Sequence, residues 1–207
     1  MRGFIEYTRI DEADKLGSLT IFDIDDTLFH TTAEVIVKKD GKVSKRLSNQ
    51  EYNRYTLRNG EEFDFSEFRS AKKFFEESRP IRKMMAKASA IIKNSTKNPL
   101  SKVIAVTARA DFDDKEKFLS TFRKHGIDID KVRVERAGNM PGGYDVVVKK
   151  VIIIRSYLKT GKYTTARLFD DALMNVRGFL DLQDEFPDVK FEGYFVNQDG
   201  TIKTIKQ

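Results

Sequence analysis

The chain has 207 residues, enough for one well-packed core and a small insertion but not for two full domains. Hydrophobic residues make up 40% and charged residues 34%, an ordinary globular composition, and no apolar run is long enough to span a bilayer. There is no cysteine, which excludes disulfides, thiol nucleophiles and zinc–thiolate sites, and the formal net charge of +6 suits an anionic partner as well as plain solubility.

In chain order, the opening stretch MRGFIEYTRIDEADK is broken by charges too early to be a signal-peptide core, so the expected address is the cytoplasm, with no membrane partner. The apolar run SLTIFD (18–23) reads as a buried strand. Residues 31–75 are too many for one crossover and read as a small cap or flap insertion. Within it, EVIVKKDGKVSKRL (34–47) has the pattern of a hairpin turning at Asp40-Gly41, and DFSEFRSAKKFFEE (64–77) that of a helix with Phe65, Phe68 and Phe75 inward. Pro80 suits the first turn of a helix whose Ile81, Met84, Met85, Ala88 and Ile92 share one face. KVIAVTA (102–108) is a second buried strand. Asp113 or Asp114 opens the next helix, which carries Phe118, Leu119 and Phe122 and closes at Gly126. Strands at 131–135, 166–170 and 191–196 and helices at 145–159 and 172–186 complete the pattern. This alternation predicts an α/β fold over residues 1–207: a Rossmann-like parallel sheet with helices on both faces. The insertion leaves the first strand at the carboxyl edge of the sheet, where open α/β sheets bind ligands.

Asp23, Asp25 and Asp26 follow the first strand directly, and like charges this close resist being gathered unless a positive group lies among them. Asp170-Asp171 ends the strand at 166–170. Parallel strand ends share one edge, so the two acidic groups converge on one cation. With only His30 and His125 as nitrogen ligands, an oxygen site for Mg2+ is favoured. Thr107 ends the second strand at the same edge with a hydroxyl suited to a phosphoryl oxygen. Lys149 or Lys150, after the Gly-rich loop GNMPGGY, supplies a compensating charge; helix neighbours point about 100° apart, so one of the two faces the site. Arg109 either grips a substrate phosphate or makes a surface salt bridge. Thr27 and Asn175 serve the site or cap local turns. His30 and His125 stand outside the site, and the basic run KKDGKVSKR (38–46) is either a nucleic-acid contact or an exposed hairpin.

DIDDT after an apolar strand, VIAVTAR, a downstream lysine and LFDDALMN, in that order, resemble the four motifs of the haloacid dehalogenase (HAD) superfamily from about residue 19 to 196. The placement of VTARADFDDKEKFLSTFRKHGI and DVVVKK is also loosely similar to the phosphatase domain of phage polynucleotide kinase/phosphatases. The resemblance implies a Mg2+-dependent phosphomonoesterase in which Asp23 is the nucleophile and Asp25 the general acid/base. It implies that Thr107 and Lys149 hold the transferring phosphoryl group, with Lys149 chosen over Lys150 by similarity to the VVK element. Asp23, Asp25 (through its carbonyl), Asp170 and Asp171 would hold the metal. The implied substrate is a nucleotide or nucleic-acid phosphate end. The alternatives are a small-metabolite phosphatase, or a non-catalytic binding protein on the same scaffold.

Overall fold

The computed structural model describes residues 17–52 and 54–206; the charged opening stretch 1–15 lies outside them. Strand β1 (Gly17–Phe22) leads into β2 (Phe29–His30), β3 (Val35–Lys39), β4 (Lys42–Leu47), helix α1 (Asn49–Tyr52), β5 (Glu61–Asp64), α2 (Ala71–Glu77) and β6 (Arg79–Pro80). There follow α3 (Arg82–Ser95), β7 (Lys102–Thr107), α4 (Lys115–Lys124), β8 (Arg133–Arg136), α5 (Val146–Leu158), β9 (Tyr163–Asp170), α6 (Leu173–Leu180), β10 (Lys190–Val196) and β11 (Ile202–Ile205).

Six strands form a sheet in the order β11-β10-β9-β1-β7-β8, all parallel except the antiparallel edge strand β11. Successive side chains of a strand face opposite ways, and the core divides accordingly. Phe22, Val103, Ala105 and Phe169 pack under α3 and α4 with Met84, Ala88, Phe118 and Phe122. Leu19, Ile21, Ile104, Val106 and Leu168 pack under α5 and α6 with Ile154, Leu158, Val176 and Phe179. This is the expected mostly parallel sheet flanked by helices, a Rossmann-like arrangement. Among the described residues, no helix is long and apolar enough to cross a membrane.

Local chemistry accounts for the elements. All five apolar residues expected on one face of α3 are buried. The helix itself starts at Arg82, because Pro80 is drawn into β6, where it pairs with Phe29. Asp114 caps α4 by accepting from the Lys117 amide at 2.9 Å, and Gly126 closes it at φ +79°. Asp40 (φ 51°) and Gly41 (φ 74°) turn the β3–β4 hairpin in the left-handed conformation that a tight hairpin needs.

The insertion departs from expectation in its second half. The segment at 64–77 is not one helix: β5 joins β3 as a third strand, residues 66–69 make a 3-10 turn, and α2 begins at Ala71. Phe68 and Phe74 point inward, while Phe65 is exposed and Phe75 is only partly buried. The reason is register: the break at Ser70, whose hydroxyl caps α2 at Lys73, shifts the buried stripe by one residue. Ala33, Val35, Val37, Leu47 and Phe68 form a small core of their own. The insertion's neck is the two-residue β2–β6 pair, Phe29 with Pro80 and His30 with Arg79.

Candidate active site

The chain passes from β1 through β7 to β8 on one side, then returns through β9 and β10 on the other. The order reverses beside β1, the place where parallel sheets open a crevice at their carboxyl ends. Register aligns Phe22 with Phe169, and the Asp23 amide donates to the Phe169 carbonyl at 2.9 Å, so Asp23 and Asp170 emerge side by side. Both are buried.

Lys150 is the positive group among them. Its Nζ lies 2.7 Å from Asp23 Oδ1 and 2.8 Å from Asp170 Oδ2, and the side chain is buried. Helix α5 aims it there because Lys150, Ile154 and Leu158 form one buried stripe at four-residue spacing. The expectation of Lys149 is therefore corrected: it sits on the adjoining face, and the structure brings Lys150 to the carboxylates instead. Asn175 Nδ2, from α6, donates to both Asp170 oxygens at 2.9 and 3.0 Å, and the Ala172 amide donates to Oδ1 at 2.9 Å. Thr27 accepts from the Asp171 amide at 3.1 Å and donates to its Oδ1 at 3.4 Å. Thr27 and Asn175 thus act as the ties that orient the second acidic pair.

Asp23, Asp170 and Asp171 each present an oxygen within 4.8 Å of the others. One lysine does not balance three carboxylates. Burial and the neighbouring aspartates push the Asp23 carboxyl up to about 7 against the pull of Lys150. Burial, with Asp23 and Asp170 nearby, pushes Asp171 up to about 9. Lys150 is held charged, its pKa raised above the ordinary lysine value by the two aspartates despite burial. A set of carboxylate oxygens with surplus negative charge is the donor set a hard divalent cation takes.

The other expected residues divide. Thr107 is fully buried at the end of β7, on the same edge, and its hydroxyl accepts from the Arg109 amide at 3.1 Å. The Asp25 carboxylate stands apart from the acidic triad. Arg109 holds it through Nε to Oδ2 at 2.9 Å and Nη2 to Oδ1 at 2.7 Å, so any metal contact from Asp25 falls to its main chain. Arg109 is 3% exposed, so it is no surface salt bridge, and its guanidinium is engaged by protein groups. Asp26, at φ 56°, accepts from Asn49 of the insertion at 2.9 Å and lies 3.7 Å from His30. Asn49 gave no signal in the sequence, because its partner is 23 residues away.

The fold and the cluster define an α/β protein with a buried carboxylate–lysine site at the switch point of a parallel sheet. Comparison of the chain with protein-family models and with curated proteins finds no match to either.

Proposed function

We propose that the chain is a HAD-type, Mg2+-dependent phosphomonoesterase that works through an aspartyl-phosphate on Asp23. The observation that carries this reading is the convergence of Asp23, Asp170 and Asp171 within 4.8 Å around one buried lysine, at a strand edge reached by Thr107. The motif order in the sequence supports it independently. Asp23, Asp170 and Asp171 would hold Mg2+, which when bound neutralises phosphate charge.

In the first step an Asp23 oxygen forms a bond to phosphorus as the ester P–O bond breaks, and Asp25 gives its proton to the leaving oxygen. In the second, Asp25 takes a proton from water, the water oxygen bonds to phosphorus, and the aspartyl P–O bond breaks to release phosphate. Lys150 engages Asp23 through Oδ1 and favours its ionised, attacking form against the burial and neighbouring aspartates that push its pKa up. Thr107, whose oxygen already accepts from the Arg109 amide, has its hydroxyl proton to donate to a phosphoryl oxygen.

For the substrate, the basic run 38–46 and the similarity in placement to the polynucleotide phosphatase domain support a nucleotide or nucleic-acid phosphate end. A small-metabolite substrate gains support from the hairpin, where Lys38 pairs with Asp64 at 2.6 Å, Arg46 pairs with Glu67 at 2.6 Å, and Lys45 lies over the Tyr55 ring. Much of the expected basic charge is thereby engaged within the insertion.

The test is hydrolysis of an aryl phosphate with Mg2+, with chelator, and by Asp23→Asn. Turnover should require the metal and fall at least about 1,000-fold in the variant, with the circular dichroism spectrum unchanged. A metal-free enzyme at full rate, or an Asp23→Asn variant near parental activity, overturns the proposal.

A further inference from the structure

Among the described residues Arg109 is the buried cation besides Lys150, and the steps above give it no task. Four of its hydrogen bonds are made to protein: two to Asp25, one from Nη1 to the Phe68 carbonyl at 2.7 Å, and one from Nη2 to Thr31 Oγ1 at 3.1 Å. Its guanidinium carbon lies 5.1 Å from the Phe68 ring centre and 4.7 Å from that of Phe74. Thr31, Phe68 and Phe74 all belong to the insertion, whereas Asp25 belongs to the loop that follows β1.

We infer that Arg109 is a positioning residue that sets the plane of the acid/base carboxylate of Asp25 by fastening it to the base of the insertion; the inference rests on the phosphomonoesterase reading. Each oxygen of Asp25 receives its own donor from a rigid planar fork, which fixes the carboxylate plane as well as its position. The fork is itself fixed on several sides. The Phe68 and Phe74 rings lie against it, the Phe68 carbonyl holds Nη1, and the backbone at 108–110 is backed by Gly138, where an added Cβ would lie 2.4 Å from the Ala108 carbonyl oxygen. Two further bonds fasten the same loop to the insertion: the Ala71 amide donates to Asp113 Oδ1 at 2.8 Å, and the Asp113 amide donates to the Arg69 carbonyl at 3.1 Å. The base of the insertion and the loop after β7 therefore form one unit, and the insertion serves as a template for Asp25. A proton donor must sit within hydrogen-bond reach of the leaving oxygen, and small misplacements of such a group cost orders of magnitude in rate.

The test uses the whole protein with two aryl phosphates, 2,4-dinitrophenyl phosphate, whose leaving group needs no proton, and phenyl phosphate, whose leaving group does. Arg109→Lys keeps the charge and loses the fork. It should lower kcat for phenyl phosphate by about 50-fold and for the dinitrophenyl ester by less than about 5-fold, with KM for both unchanged. In an Asp25→Asn background the same change should remove no more than about 2-fold further, because the group it acts through is gone. Phe68→Leu keeps the apolar volume and removes one ring from the guanidinium. It should show the same selective loss on a smaller scale, about 3- to 10-fold, and it carries the test if Arg109→Lys does not fold. Equal losses on the two esters overturn the inference, as does a rise in KM with kcat unchanged, the sign of a phosphate grip. Full additivity with Asp25→Asn overturns it too. A parent enzyme inactive on both esters removes the phosphomonoesterase reading itself, and this inference with it.

Discussion

Asp171→Asn should stabilise the metal-free protein. Asp171 faces Asp23 and Asp170 with oxygens within 4.8 Å. A pair of like unit charges about 5 Å apart repels by about 3 kcal/mol at an effective dielectric constant near 20. Two such repulsions act on Asp171 and the nearby Lys150 offsets about one of them; solvent at this half-buried position screens roughly half of the remainder, leaving about 1–2 kcal/mol. The asparagine keeps an acceptor for the Thr27 hydroxyl, so the tie to the β1 loop survives. At this chain length that gain raises the melting temperature by about 2–8 °C. The pH dependence has a definite sign. Asp171 is pushed up to about 9 in the folded state from an ordinary value of 3.8, so folding takes up a proton there. The stability tied to that proton is full below pH 4 and is lost as pH rises toward 9, and the variant escapes the loss. Thermal melts in chelator at pH 5, 7 and 8.5 should therefore show a gap between variant and parent that widens with pH. Adding Mg2+ should raise the parent's melting temperature more than the variant's, because a ligand bound only to the folded state stabilises it. A variant that melts below the parent at pH 8.5 in chelator, or a gap that does not change with pH, refutes the electrostatic account of the cluster.

Two further outcomes follow from the same geometry. Lys150→Gln should lower aryl phosphate turnover by at least about 100-fold and destabilise the fold by about 3 kcal/mol, since it strips the partner from two buried aspartates, whereas Lys149→Gln should stay within about 2-fold in activity and 0.5 kcal/mol in stability; activity assays and urea titrations of the pair decide. Replacing Lys39, Lys42 and Lys45 with Gln should weaken processing of a phosphorylated oligonucleotide, flatten its salt dependence and leave aryl phosphate hydrolysis unchanged if the hairpin tracks a phosphate backbone. An unchanged salt slope favours the small-metabolite substrate.

What was legible in the sequence followed local rules. The alternation of buried strands with one-sided helices is a property of windows of five to fifteen residues, so β1, β7, α3 and α4 could be read almost to their ends. The Asp40-Gly41 hairpin is a two-residue signal and came with them. Strand β5 was hidden because EEFD lacks the usual strand composition and is held in place by pairing with β3, more than twenty residues earlier. The antiparallel edge strand β11, IKTI, is short and half polar, and only its partner β10 marks it. In the site, Asp23 and Asp170 were readable because strand ends in a parallel sheet share an edge whatever lies between them.

The lysine and the arginine show where that logic stops. Helix α5 is apolar nearly all round: the stripe at 149, 153 and 157 carries Ile and Tyr, and the stripe at 150, 154 and 158 carries Ile and Leu. Periodicity therefore gives both lysines an equally good apolar row, and similarity of a short VVK string decided for Lys149, whereas the structure brings Lys150 to the carboxylates. The distinction comes from the sheet beneath, since Asp23 and Asp170 can neutralise only the ammonium that reaches the gap between β1 and β9. Arg109 fails in the same way from the other direction. Its neighbour Thr107 is placed by a strand end, but its own partners, Thr31 and Phe68, lie 78 and 41 residues away in an insertion with its own small core. A charged residue next to a readable motif position thus acquires its role from distant packing. Here that packing turns the arginine inward, onto the carboxylate of Asp25.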